Sequence, residues 1–316
     1  MDTLTNIPAS MINDFDSLHV ADLTEEERSL IINYVGLTRD VTEAQQLFDA
    51  FYFNMLNMRN LFVFNANDTV TRTEYCLNCD SDFIAVNSLV VNLISSARTL
   101  TEFLRARAAK WLENSEFQED KSKDEFNIYA SQIYNTSFVY RLLINLRNYM
   151  QHGYLPVSFK EGRYSFDINQ ILSPPHFKIN GKLKSDMKNF IDACENPGEN
   201  IACISLTLTI ADFSVKVIDI YNKFLFYIKS CVFSSYNDVK QLIQTKPSIV
   251  CDYHEGLNGF IIYDLDERAY QVLNPNENPN DIINIYEKRV SAIYNDEKIA
   301  FDELLGSFSF FEEVML

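Results

Sequence analysis

The sequence predicts a mainly α fold: a helical bundle flanked by an N-terminal layer of helices plus a hairpin, and by a small C-terminal α+β appendage. Three observations carry this. Glycine and proline are scarce, eight of each in 316 residues, which favours long regular elements over a turn-rich sandwich. Two long stretches, 80–113 and 121–152, contain neither residue. Hydrophobic residues make up 47% of the chain, with 24 Phe and 17 Tyr, ample to bury one large core or two modest ones.

From the N-terminus, Thr24 followed by three glutamates suits a helix start, and the pattern repeats after Asp40, so residues 24–58 read as two helices. The Phe, Val and Thr of 60–75 surround an Asn-Asp turn and read as a hairpin. Residues 80–113 and 121–152 predict two long antiparallel helices joined by a polar connector. Alternation around Glu161-Gly162 predicts a second hairpin at 155–168. A short helix through "KSDMKNFIDAC" and a long one from "NIACIS" to "FYIKS" complete a four-helix arrangement. The β-like 248–273 and a last helix through "IINIYEKRVSAIY" form the appendage. The expected divisions are 1–79, 80–232 and 233–316, with the bundle in the middle.

Composition removes several function classes. A formal net charge of −17 weakens any broad, non-specific nucleic-acid binding, which depends on many contacts from Lys and Arg to phosphates. The six cysteines are scattered, as expected of reduced thiols. "CLNC" at 76–79 has the spacing of half a zinc site without a second half, so no metal is expected. No apolar run reaches membrane-spanning length, and the acidic first residues do not resemble a secretory signal, so a cytoplasmic protein off the membrane is expected. No Gly-rich phosphate loop or G-x-S-x-G occurs. His19, His176 and His254 sit in expected loops or turns without ligand-spaced neighbours.

His152 differs. Arg141, Asn145, Asn148 and His152 recur at helical spacing and form one polar stripe, while Leu142, Leu143, Leu146 and Met150 fall outside it. The preceding long helix carries Asn92, Ser96 and Thr99 on one face, with Arg98 and Glu102 nearby. Facing stripes would enclose a polar site; two solvated helix faces are the bland alternative. Arg147, five residues before His152, lies about 140° away around a regular helix. Either Gly153 and Pro156 end the helix and let the histidine turn, or a second copy supplies the opposing half across a two-fold axis.

"RNYMQH", residues 147–152, resembles the R-x4-H motif of HEPN domains (higher eukaryotes and prokaryotes nucleotide-binding), and Asn148 is the polar residue typical after the arginine. The resemblance covers only the bundle. It implies a HEPN-like bundle acting as a homodimer, a metal-independent endoribonuclease with no cofactor, and a role as a toxin or antiviral defence effector. It further implies an antitoxin or defence-complex partner protein. The extension to Tyr154 resembles the R-x4-H-x-Y of HEPN toxins whose tyrosine is adenylylated; a tyrosine packed beside Pro156 is the ordinary reading.

The implied chemistry is attack of a ribose 2′-hydroxyl on the adjacent phosphate of RNA. An imidazole moves protons near neutral pH, which suits His152. A guanidinium grips two phosphate oxygens, which suits Arg147. Asn148 would orient the imidazole or the ribose, with Asn92, Ser96, Arg98, Glu102 and Asn145 supporting. "RTLTEFLRARAAKW", with Arg98, Arg105, Arg107 and Lys110, would be a local basic track or a solvated face. A non-catalytic module that binds a nucleotide or a protein partner is the rival expectation.

Overall fold

The computed structural model describes residues 24–67, 79–112, 122–160, 163–174, 179–194, 202–245, 253–254, 259–264, 269–273 and 279–307. Within them the chain is mainly helical, with two small antiparallel sheets. Of the expected polar connector, residues 114–125, the part up to 121 lies outside the described residues and 122–125 already belong to a helix; most of the CLNC segment, including Cys76, lies outside them too, as do His19 and His176.

Helix α1 (Glu25–Asn67) begins with a reciprocal cap: the Thr24 hydroxyl accepts from the Glu27 N–H at 3.3 Å, and the Glu27 carboxylate accepts from the Thr24 N–H at 3.0 Å. The helix continues where the sequence suggested a break at Asp40. Tyr34, Leu37, Val41, Ala44, Phe48, Phe51, Met55 and Met58 are buried at alternating spacings of three and four, so one apolar stripe crosses the expected break. Thr38, beside that break, returns its hydroxyl to the Tyr34 carbonyl at 2.9 Å. The hairpin expected at 60–75 is corrected in its first part, because 60–67 extends α1. Extending an existing helix avoids the cost of a new nucleus. Residues 68–75 lie outside the described residues.

Helix α2 (Cys79–Leu112) matches its expected span. Its segment Phe83–Leu112 is long and apolar enough to cross a membrane by length and composition, mean hydropathy 1.4, contrary to expectation. Val90, Leu93, Ile94, Ala97, Leu100 and Leu104 of that segment are fully buried in the protein core.

The second expected long helix is two: α3 (Ser122–Thr136) and α4 (Phe138–Gln151). Ser137 breaks them by leaving helical geometry at φ −96°, ψ 114°, and its hydroxyl accepts from the Tyr140 N–H at 3.0 Å. Arg141 makes the break stable. Its Nη1 donates to the carbonyls of Tyr134 (2.6 Å) and Asn135 (2.7 Å) at the end of α3.

Strands β1 (Ser158–Lys160) and β2 (Arg163–Asp167) realise the second hairpin, with Ser158 opposite Ser165. The short α5 (Ile168–Leu172) follows, capped by Asp167, whose carboxylate accepts from the Gln170 N–H at 3.0 Å. After α6 (Gly181–Cys194), residues expected to open the long helix instead form β3 (Cys203–Ser205) on the free edge of β2, with Phe166 opposite Ile204. The order is β1-β2-β3. Helix α7 (Leu206–Thr245) starts directly after it. The tail contains β4 (Tyr253–His254), β5 (Gly259–Asp264), β6 (Ala269–Leu273) and α8 (Pro279–Ser307). His254 therefore sits in a strand pair and not in the turn expected of it.

Contacts divide the chain into two compact units, one within Met1–Val41 and Lys229–Asn284, the other within Thr42–Ile228 and Ile285–Leu316. In the first, Tyr34, Val35, Tyr236 and Val239 form a small core, with the Tyr34 and Tyr236 rings 6.2 Å apart. This unit also holds the antiparallel sheet β4-β5-β6. In the second, Phe48 stacks on Tyr221 at 4.4 Å, and the Tyr221 hydroxyl donates to Gln45 at 2.8 Å. Phe126 meets Phe224 edge-on at 5.9 Å, and Tyr140 packs on Phe213 at 5.7 Å. In the same unit α2, α3 and α4 pack on one another and α6 packs on α4, as a bundle.

Candidate functional site

Helices α2 and α4 run antiparallel, because Asn87 reaches Val157 while Arg98, farther along α2, reaches Asn148 and Ile144, earlier in the chain. Three apolar residues of α4, Leu142, Leu143 and Leu146, are fully buried. That burial turns the edge carrying Asn145, Arg147 and Asn148 toward the rim of the α2 contact.

At this rim the structure joins four of the expected residues. Arg98 Nε donates to Glu102 at 2.7 Å, and Arg98 Nη1 donates to the Asn148 side-chain oxygen at 3.2 Å and to the Ile144 carbonyl at 3.3 Å. Arg147 Nη1 lies 3.7 Å from the other Glu102 oxygen. Two guanidiniums thus share one carboxylate and leave a net positive charge on the cluster. Glu102 is 55% exposed and Arg147 32%, so solvent screens these pairs and each contributes about 0–1 kcal/mol.

Beside the cluster a cavity of about 240 Å³ is lined by Arg98, Thr101, Glu102, Arg105, Tyr134, Tyr140, Ile144 and Asn145. Asn145 crosses it, donating to the Tyr134 hydroxyl at 3.3 Å and to the Arg141 carbonyl at 2.8 Å. Burial pushes the Tyr140 hydroxyl above its ordinary pKa, while the Thr101 hydrogen bond and the Arg105 charge oppose the shift.

Other expected members stand apart. Asn92 is exposed. Ser96 accepts from Asn54 of α1 at 3.1 Å and donates back to the Leu93 carbonyl, so it faces away from α4. Thr99 is exposed and bonds its own helix. Arg141 belongs to the apparent polar stripe by spacing but is only 4% exposed, held by Asp186 at 2.5 and 2.9 Å as well as by the end of α3. It is a structural clamp. Within the basic track Arg107 is partly offset by Glu43 at 3.8 Å and lies over the Phe103 ring, while Lys110 lies over the Trp111 ring and keeps its charge.

His152 caps α4 with φ −87° and ψ 10°, and its backbone N–H donates to the Tyr149 carbonyl at 3.2 Å. Gly153 follows at φ +83° and closes the helix through a 2.9 Å bond to the Met150 carbonyl. Helix end and glycine agree with the sequence reading, yet the turn comes one residue too late to redirect the histidine. The backbone is still near-helical at His152, so its side chain leaves about 140° from that of Arg147. The imidazole is exposed and makes no hydrogen bond to the described residues. Tyr154 packs its ring 5.0 Å from that of buried Tyr149.

Asn87 and Tyr134 were missed. Asn87 is buried and pairs with the backbone of Val157 as a neighbouring strand would, accepting its N–H at 3.0 Å and donating to its carbonyl at 3.3 Å. This fixes where the chain goes after His152. Tyr134 gathers Asn145 and Asn180 on one hydroxyl. An Asn among apolar helix positions was a readable signal; the Tyr134 contacts, 11 and 46 residues away, have no local signature.

No group of three or more His, Cys, Asp or Glu able to hold a metal occurs among the described residues. No family model matches the sequence, and neither a curated protein nor a solved structure does.

Proposed function

We propose that the protein is a metal-independent endoribonuclease of the HEPN type, acting as a homodimer in which His152 of one copy faces Arg147 of the other. The observation that carries the reading is the placement of the R-x4-H residues. Arg147 and Asn148 sit in a net-positive rim cluster, and His152 caps the same helix with its imidazole open to solvent. In this reading Arg147 and Arg98 balance the charge added to the scissile phosphate, and His152 takes the 2′-hydroxyl proton. The divergence of Arg147 and His152 on one helix makes the second copy necessary.

The test is incubation of the purified full chain with total RNA in excess EDTA. Cleavage persists and leaves 2′,3′-cyclic phosphate ends, and Arg147→Ala or His152→Ala abolishes it. A requirement for Mg²⁺ with 5′-phosphate products, or full activity in either variant, would sink the mechanism. Light scattering at tens of micromolar checks the dimer; a strict monomer that still cleaves rules out the shared site.

One observation favours the rival reading, a non-catalytic module in a defence or toxin–antitoxin complex. Glu102 already occupies both guanidiniums where a phosphate would sit. Equal inertness of the wild type and His152→Ala toward RNA would select it.

A further inference from the structure

We propose that the groove between α7 and α8 binds a nucleoside monophosphate unit, at a site separate from the Arg147 cluster. On α7 it is lined by Asp219, Asn222, Lys223 and Phe226, and on α8 by residues that include Lys288, Ser291 and Asn295. Both sets recur at three- and four-residue steps, so each helix presents one face. The groove holds about 600 Å³, within the range of small-molecule sites.

A contrast along α7 singles out Lys223. Asp212 and Lys216 pair across one helical turn, the usual outcome for Asp and Lys at this spacing. Asp219 and Lys223 have the same spacing and do not pair. Asp219 instead accepts the Tyr129 hydroxyl, and the Lys223 ammonium lies among three rings, 5.5 Å from Tyr129, 5.0 Å from Phe226 and 5.3 Å from Tyr227. The rings hold the cation without neutralising it. Lys223 makes no ion pair with any described carboxylate.

Phe226 supplies the second feature. It is 62% exposed at the groove edge and is steadied edge-on by Tyr227 at 5.4 Å. A single exposed phenyl ring needs no explanation. A braced one beside an uncommitted ammonium forms a stacking surface with an anion site next to it, the pairing that a base and its phosphate require. Asn295 offers an amide that can meet the N6 and N7 edge of adenine with two hydrogen bonds. Ser291 and Asn222 are already joined to each other at 3.4 Å. Charge sets the phosphate count: Asp219 and Glu287 line the same groove as Lys223 and Lys288, so a monophosphate is tolerated and a triphosphate repelled.

The test is calorimetric titration of the full chain with AMP. Saturable binding appears, and Phe226→Ala and Lys223→Met each weaken it about tenfold or more. Adenosine and ATP both bind more weakly than AMP, whereas Arg147→Ala leaves AMP affinity unchanged and so separates this site from the proposed ribonuclease centre. A 2′-O-methyl oligoadenylate pentamer, whose blocked hydroxyl cannot be cleaved, distinguishes the sources. Pentamer binding that is tighter than AMP and sensitive to both variants assigns the groove to an RNA strand; AMP binding equal or tighter assigns it to the free nucleotide. No saturable binding of either probe at millimolar concentration, or affinity unaltered in both variants, overturns the proposal. Phe226 is exposed, so its variant remains folded and decides the matter even if Lys223→Met does not.

Discussion

The two halves of α4 treat the same residue type in opposite ways. Arg141, in the first half, is 4% exposed and donates to two carbonyls and a carboxylate. Arg147, in the second, is 32% exposed and touches one shared, solvated carboxylate at 3.7 Å. Six positions apart on one helix, the first guanidinium is consumed by the fold and the second is left over from it. A polar residue is available for chemistry when its neighbours do not need it, and helical spacing alone does not reveal which residues those are.

The sharpest test of this contrast is Arg141→Ala. It strands the Asp186 carboxylate and the last carbonyls of α3, so urea unfolding should register a loss of about 3 kcal/mol. A loss below about 1 kcal/mol would mean that the clamp is ornamental and the contrast false. Asn87→Ala comes next, at about 2 kcal/mol, because the N–H and C=O of buried Val157 lose their partner. Its diagnostic is faster amide exchange at Val157.

A smaller effect depends on pH. Burial raises the Tyr140 pKa in the folded first half of α4, with Thr101 and Arg105 pulling the other way. The unfolded chain therefore releases this proton first, near pH 10, so the contribution is whole below about pH 10 and is lost as pH rises toward the folded value. Tyr140→Phe carries no such proton, and its stability should fall less between about pH 9 and 11 than that of the wild type. An identical decline would remove Tyr140 as a cause. Smallest of all, Arg147→Ala should alter stability by no more than about 0.5 kcal/mol while abolishing RNA cleavage. A large loss of stability would place Arg147 in the same structural class as Arg141.

What the sequence disclosed follows the same division. The spans of α2 and α6, the 155–168 hairpin and the stop at Gly153 were legible because each rests on local signals: apolar periodicity, turn residues or a missing Cβ. Ser137 was hidden inside a stretch free of glycine and proline, since its power to split a helix comes from Arg141 satisfying the exposed carbonyls. Strand β3 was hidden because its reason is the open edge of β2, some 36 residues earlier in the Asp167–Cys203 pair. The rim cluster was legible as a set of residues, Arg147, Asn148, Arg98 and Glu102, but not as a network that leaves His152 apart, turns Ser96 toward Asn54 and draws Arg141 into the core.

Gly153 carries a consequence in handedness. A β-carbon built there meets no atom within 4 Å, so the site has room for a side chain, yet φ is +83°. What excludes an L-alanine is the mirror sense of the backbone, not space. Asn, which tolerates this region, is the natural L-residue to succeed glycine here. A D-alanine introduced by semisynthesis would match the torsion without strain and narrow the choices of the unfolded chain. The polypeptide therefore leaves His152 through a left-handed torsion that achiral glycine permits, and a D-residue at this one position could tighten that exit without altering any contact around it.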